Sequence, residues 1–364
     1  MAKRVGVDKW LFFTTLLLVV IGLAMVFSAS AVVDEARYHS PYAFVGRQAV
    51  WALAGVFAML VLMHVDSSVY NSPRFIYPTI CVTTLLLVAV FFFPGSHNTH
   101  RWIRFGALFS FEPSQIAMPV LILFLAWFLH NRLGEIPNSK GTLLRAAAIP
   151  AVFMFLIVRQ PDLGTTLVLG GVTAMMLVLA GMEWKYLFGA ACAVLPIVAA
   201  LVFWVPWRWQ RIIVFLNPGA DPLGAGFHIN QSLIAVGTGG LTGRGYMEGI
   251  QKLFFLPEAS TDFIFANIAE ELGFIGSMAI VLLFVILGVR GLRAAFRSQK
   301  PFERLVAFGI TTAILLQAFF NISVVLSLVP TKGITLPLIS SGGTSLFFTL
   351  ASIGILLNIT KQVE

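Results

Sequence analysis

Ten apolar runs, each close to the length that crosses a lipid bilayer, constrain this chain more than any other feature. A helix rises 1.5 Å per residue, so spanning about 30 Å of hydrocarbon takes roughly 20 apolar residues. The runs cover 11–32, 47–65, 74–94, 113–130, 145–159, 163–181, 186–206, 263–289, 303–327 and 341–360. Arg159-Gln160-Pro161-Asp162, a polar break containing a proline, separates the fifth from the sixth. The fifth run is short as drawn, so its helix is expected to be tilted, to sit in a thinned bilayer or to extend further. Backbone polar groups in hydrocarbon must be satisfied within the segment, which favours helices. The pattern predicts an all-α polytopic membrane protein: one membrane domain over 1–364, ten transmembrane helices, and a large extracytoplasmic loop, 207–262, between helices 7 and 8. Composition agrees. The chain is 58% apolar and 11% charged, with mean hydropathy +0.90, whereas a soluble domain carries about 25% charge.

Ten spans put both termini on one side. That side holds 14 of the 24 Lys and Arg residues: Lys3, Arg4, Lys9, Arg74, Arg132, Lys140, Arg145, Lys185, Arg290, Arg293, Arg297, Lys300, Arg304 and Lys361. Four of the other ten lie in the long loop, and long loops translocate regardless of charge, so the comparison is 14 against six. The termini are therefore expected in the cytoplasm and the long loop outside. Ser28-Ala29-Ser30-Ala31 resembles a signal-peptidase site after the basic start. The apolar core is long for a cleaved signal, so a retained signal anchor is expected. The net charge of +8 is read as loop and headgroup charge, since no soluble basic patch interleaved with aromatics points to nucleic acid. Cys81 and Cys192 sit singly in apolar runs and are expected to pack as small residues, with no disulfide or cysteine metal site. No internal repeat is visible.

Carboxylates mark the place to look for chemistry. Phe254–Phe274 carries Glu258, Asp262, Glu270 and Glu271 where the long loop returns to hydrocarbon, and ionisable groups at membrane depth persist where they meet a cavity, a partner charge or a reaction. Pro257 suits the first turn of a helix and Glu258 its positive end. On such a helix Glu258 and Asp262 share a face at i and i+4. The pair could hold a divalent cation, or set one carboxyl as a base beside the other. Glu270 lies about 12 Å further on, and Glu271 points nearly opposite. Both are expected to pair with basic groups on neighbouring helices. Earlier in the loop, Trp207, Arg208, Trp209 and Arg211 read as an interfacial belt. Gly237-Thr238-Gly239-Gly240 and Gly243-Arg244-Gly245 lack a nucleotide-binding pattern and fit a close-packed or anion-binding backbone.

Three further segments on the same predicted face supply cations and polar backbone: His100-Arg101-Trp102-Ile103-Arg104, Arg159–Thr165, and Pro330-Thr331-Lys332-Gly333 running on to Ser340-Ser341-Gly342-Gly343-Thr344-Ser345. Singly, each is ordinary for a helix end. Together, opposite the acidic segment, they suggest an amphiphilic anionic substrate outside the bilayer.

These motifs resemble the SEDS family of membrane proteins (FtsW, RodA and sporulation relatives) over nearly the whole chain. The resemblance is carried by Gln251-Lys252-Leu253, Leu256-Pro257-Glu258, Thr261-Asp262-Phe263-Ile264-Phe265 and Glu270-Glu271-Leu272-Gly273. Asn321, Pro330–Gly333, Leu336-Pro337-Leu338-Ile339-Ser340, Gly342-Gly343, Gln160–Thr165 and Arg101-Trp102-Ile103 extend it. The wording of the Gln251 and Pro330 segments is closer to the FtsW branch. The resemblance implies a peptidoglycan glycosyltransferase in the bacterial cytoplasmic membrane. It would polymerise lipid II by inverting transfer, with a class B penicillin-binding transpeptidase and other division or elongation proteins as partners. Asp262 matches the family's essential loop carboxylate and would be the general base. Arg101, Trp102, Arg159, Lys252, Glu258, Lys332, Ser340, Gly342 and Gly343 would bind substrate. A divalent cation, Mg or Mn, would sit at Asp262 and Glu258, with no organic cofactor, and an apolar groove for the lipid tail would lie beside the site.

The chain departs from the family in places. A pattern like PSELAK is usual in the fourth span, but Pro113-Ser114-Gln115-Ile116-Ala117-Met118 stands here, with Glu112 before the proline. Ser341 replaces the usual Tyr, and Ala259-Ser260 stands where a His often precedes Thr-Asp. Two rival functions follow: movement of lipid-linked precursor across the bilayer, and a scaffold for a transpeptidase without turnover.

Overall fold

A computed structural model describes residues 6–93, 100–105, 109–135, 140–217, 221, 224 and 226–361. Lys3 and Arg4 of the orientation argument, Pro94 of the third run, and part of the long loop lie outside the described residues. Each predicted run coincides with a helix: α1 Lys9–Tyr38, α2 Ala43–Leu62, α4 Pro73–Ala89, α5 Pro113–His130, α6 Lys140–Arg159, α7 Leu163–Leu179, α8 Trp184–Phe203, α11 Ile264–Arg297, α12 Pro301–Val325 and α13 Gly343–Thr360. Among the described residues eight helices are long and apolar enough to cross a membrane, and α7 is a shorter apolar helix. The break at Arg159–Asp162 falls as predicted, and α6 is longer than its run, beginning at Lys140. Asp162 caps α7, accepting from the Thr165 N–H at 3.1 Å and the Thr165 hydroxyl at 2.8 Å.

Three features correct the simple reading. A short α3, Ser67–Tyr70, sits between α2 and α4. The chain is not wholly helical, because β1 Ile103–Phe105 and β2 Phe109–Phe111 form an antiparallel hairpin pairing Ile103 with Phe111. The long loop contains two helices, α9 Pro206–Leu216 and α10 Phe227–Gly239.

The core is built from α5, α12 and α13, the most enclosed of the long helices. α12 packs against α5, α7 and α11, while α13 lies along α2 and α1 along α11. Large apolar side chains such as Leu53, Phe57, Leu85, Phe155 and Phe188 face outward, the arrangement expected where lipid replaces water. Cys81 and Cys192 are exposed rather than packed inside; a small polarisable thiol is as comfortable against an apolar exterior as in a core. The start of α1 and the end of α13 meet, since the Asp8 N–H donates to the Thr360 hydroxyl at 3.3 Å.

α11 is interrupted at Gly273, whose φ of 66° and ψ of −166° suit only a glycine. The break frees carbonyls, and the loop fills them: the Arg244 N–H donates to Glu270 O at 3.0 Å and the Gly245 N–H to Glu271 O at 3.1 Å. A Cβ on Gly273 would stand 2.2 Å from the Gly243 nitrogen. The glycine-rich loop backbone is thus spent on α11 rather than on an anion.

Candidate active site

At the end of the bundle away from the chain termini, a polar cavity of about 890 Å³ opens among α2, the segment before α5, α7, the loop before α11 and the loop before α13. Asp262, Glu258, Arg101, Trp102, Gly342 and Gly343 line it, so the fold brings six of the ten predicted site residues together.

Asp262 is not on a helix. Residues 258–263 form turns, α11 begins at Ile264, and Glu258 has φ 55°. The expected i, i+4 pair on one helical face is therefore absent. The competing partners are tertiary. The Ser340 hydroxyl donates to Thr261 O at 2.6 Å, the Ser341 N–H donates to Ser260 O at 2.9 Å, and the Asn321 amide donates to the carbonyls of Asp262 at 2.8 Å and Ile334 at 2.7 Å. These bonds hold the acidic loop against the 330–342 segment, and an isolated helical turn cannot compete with them. Gln48 of α2 braces the other side, donating to Ser340 O and accepting from the Gly342 N–H, each at 3.2 Å.

Glu258 is occupied by the Thr261 hydroxyl at 2.8 Å. Among the described residues no hydrogen bond reaches the Asp262 carboxylate. Burial pushes that carboxyl up to about 7, Glu258 raises it further, and Arg101 opposes the rise. A carboxyl near neutrality in a cavity is suited to take a proton from a hydroxyl. Glu112 shares the cavity and is also pushed up to about 7, first by burial and then by Asp162.

The remaining predicted residues lie elsewhere. Ser340 is buried and does not line the cavity, and its oxygen also accepts from the Leu336 N–H at 2.8 Å. Lys332 is partly buried beside Thr331, whose carbonyl accepts from Arg211 of α9 at 3.1 Å; burial and then Arg211 lower its pKa. Arg159 is exposed at the end of α6. Lys252 is 4% exposed and pairs with Glu271 at 2.6 Å, its ammonium also reaching the Ser28 hydroxyl of α1 at 2.7 Å. It binds the loop to the bundle and does not face the cavity. Glu270 likewise takes Arg244 at 3.5 Å and the N–H groups of Ile250 and Gln251. The partners of both glutamates come largely from the loop, not from neighbouring helices, because the break at Gly273 admits it.

Several lining residues were not singled out from sequence: Arg47, Gln48 and Trp51 at the start of α2, and Gln317 within α12. The available signal was a polar pair at the head of one apolar run and an amide inside another. A narrow second cleft between α5, α12 and α13 shares Gln115, Met118, Gln317 and Ser345 with the cavity and continues past Ile122, Ile314 and Phe348. Among the described residues no group of three or more His, Cys, Asp or Glu side chains is placed to hold a metal ion. Asp262 and Glu258 both line the cavity, and carboxylate oxygens are the donor type that holds Mg²⁺ when phosphate oxygens complete the shell.

The chain matches the FtsW/RodA/SpoVE family model, described as cell cycle protein, over residues 8–364. It is 41% identical over 347 residues to the probable peptidoglycan glycosyltransferase FtsW of Geobacter metallireducens, covering 94% of this chain and 92% of that protein. It is 40% identical to stage V sporulation protein E of Bacillus subtilis, covering 99% and 98%. Among solved structures it resembles a chain from work on structural coordination of polymerization and crosslinking by a peptidoglycan synthase complex, with TM-score 0.77 and 26% identity over 98% of both chains. It also resembles Thermus thermophilus RodA, a likeness of fold, with TM-score 0.72 and 24% identity over 99% of both chains.

Proposed function

We infer the function from the family to which this chain belongs, that of FtsW, RodA and SpoVE. It is a membrane peptidoglycan glycosyltransferase of the group that serves cell division, shape and sporulation. Our reading of its chemistry is the polymerisation of lipid II by a single inverting displacement. The 4-hydroxyl of an acceptor sugar attacks the anomeric carbon of the donor, the carbon–oxygen bond to undecaprenyl diphosphate breaks, and Asp262 takes the hydroxyl proton. Inversion needs no covalent enzyme intermediate. The observation that carries this reading is Asp262 itself, a carboxyl raised to about 7 on the wall of an 890 Å³ polar cavity and held on a stapled loop.

Arg101 lines the same cavity, and its guanidinium is held by the Gln160 carbonyl at 3.1 Å and the Pro161 carbonyl. A fixed cation there stabilises charge that develops on the departing diphosphate. Lys332 does not line the cavity but directly precedes Gly333, which does, so it would add positive charge near the departing diphosphate. A Mg or Mn ion held by Asp262 and Glu258 would supply further neutralisation of the diphosphate. The cleft between α5, α12 and α13 encloses only about 30 Å³, so it would have to widen to admit the start of a prenyl chain. We place the chain in the bacterial cytoplasmic membrane as ten spans, with both termini cytoplasmic and the cavity outside. A class B penicillin-binding transpeptidase is the expected partner, to crosslink the strands as they form.

The test is polymerisation of purified lipid II by the protein with its partner, comparing wild type with Asp262→Ala and Asp262→Asn. Glycan strands are expected from wild type alone, with a loss of about 10²–10⁴-fold in the variants. Equal strand formation by all three would overturn the assignment.

A further inference from the structure

Glu112 is a cavity acid that the displacement described above does not use. It stands at the N-cap of α5 with extended backbone (φ −106°, ψ 105°), where an acidic side chain ordinarily accepts from the helix's first N–H groups, yet no such bond forms. Its carboxylate turns to its neighbours instead. Oε1 accepts from the Ser114 hydroxyl at 3.0 Å and Oε2 from the Gln115 amide at 3.1 Å. All three residues line the cavity that contains Asp262. Each carboxylate oxygen has one protein donor and can accept another. No basic side chain forms an ion pair with it among the described residues, in contrast to Glu270, Glu271 and Glu303. The charged groups facing it are Asp162 at the head of α7 and Arg101 before β1. Asp162 is engaged in capping α7, and Arg101 in holding the carbonyls at 160 and 161.

An enclosed acid without a counter-ion is costly unless something arrives to use it. A carboxylate held by two neighbours with an accepting position left on each oxygen, an amide beside it and Trp102 lining the same cavity match the needs of a sugar ring: paired hydroxyls for the oxygens and an apolar face for the indole. Resting on the glycosyltransferase reading, we propose that Glu112, oriented by Ser114 and Gln115, binds hydroxyls of the acceptor hexosamine and sets which hydroxyl reaches Asp262. Glu112 is thus a substrate-orienting residue that exchanges no proton in the bond-forming step. Its raised pKa is consistent with a group whose charge is fully expressed only when hydroxyl donors surround it.

The experiment measures lipid II binding and turnover with the full-length protein in nanodiscs. Binding is read in an Asp262→Asn background, where no product accumulates. Adding Glu112→Ala is expected to weaken lipid II binding at least tenfold. In the otherwise wild-type chain with its transpeptidase partner, Glu112→Gln is expected to raise KM at least fivefold with kcat reduced less than KM rises. Glu112→Gln should also flatten the change of KM between pH 6 and pH 8, which a purely structural role would not do. Because it keeps the size and the Ser114 contact, it remains informative if the alanine variant fails to fold. Unchanged binding and an unchanged KM in Glu112→Gln would overturn the proposal. Polymerisation by Asp262→Asn would instead overturn the role of Asp262, and the KM of Glu112→Gln in the otherwise wild-type chain would still decide Glu112.

Discussion

A Cβ on Gly333 would stand 2.9 Å from Oδ2 of Asp262, so the backbone ahead of α13 forms a wall of the socket that aims this carboxylate. Gly333 is exposed and needs no special backbone conformation, and the nearest obstacle is the tip of a side chain. Gly333→Ala is therefore expected to fold normally while displacing the carboxyl. A misplacement of about 1 Å costs on the order of 10²-fold in rate. Polymerisation should fall by about 10–100-fold with the melting temperature unchanged.

The pH profile of polymerisation should follow Asp262. The base acts ionised, and its carboxyl is raised to about 7. Turnover per enzyme at low lipid II is expected to rise with pH through about 7 and to be lost below it, as a rate series from pH 5 to pH 9 will show.

The same shift affects stability with a definite sign. An acid whose folded pKa is raised binds its proton more tightly when folded, so stability falls as pH climbs from the unfolded value of 3.8 to the folded value of about 7. Asp262→Asn removes that penalty. Thermal unfolding should show the variant more stable than wild type at pH 8 and equal to it at pH 3.

The Lys252–Glu271 pair is buried, with side chains 3% and 0% exposed. Removing one partner strands the other charge, a loss of about 3–5 kcal/mol in buried pairs. Lys252→Met and Glu271→Gln should each lower the melting temperature strongly. The double variant should recover part of the loss. Its polymerisation should remain below wild type, because this pair also anchors the loop that leads to Asp262.

Ser340→Ala removes the donor to Thr261 O and the acceptor for the Leu336 N–H. Leaving the buried Leu336 N–H unpaired costs about 1–3 kcal/mol, and the part-buried Thr261 carbonyl adds less. Both stability and kcat should fall, and Ser340→Thr should restore some of each if the hydroxyl is what matters.

The positions of the helices were legible in the sequence because hydropathy is local. A run of about 20 apolar residues must be covered by lipid or protein, and Arg159–Asp162 breaks such a run whatever surrounds it. The acidic loop was legible too, since carboxylates beside hydrocarbon are rare and costly. The roles within it were not. Asp262 sits on a turn and not a helix because Ser340, 79 residues from Thr261, takes the loop backbone. Lys252 leaves the cavity because Ser28, 224 residues away, and Glu271 enclose it. Arg47, Gln48 and Gln317 reach the cavity only because α2 and α12 meet the loops there. Segment length and polarity are properties of a short window of chain and determined the helices. Pairing depends on which distant groups share a low-dielectric site, and only the packed bundle decided that.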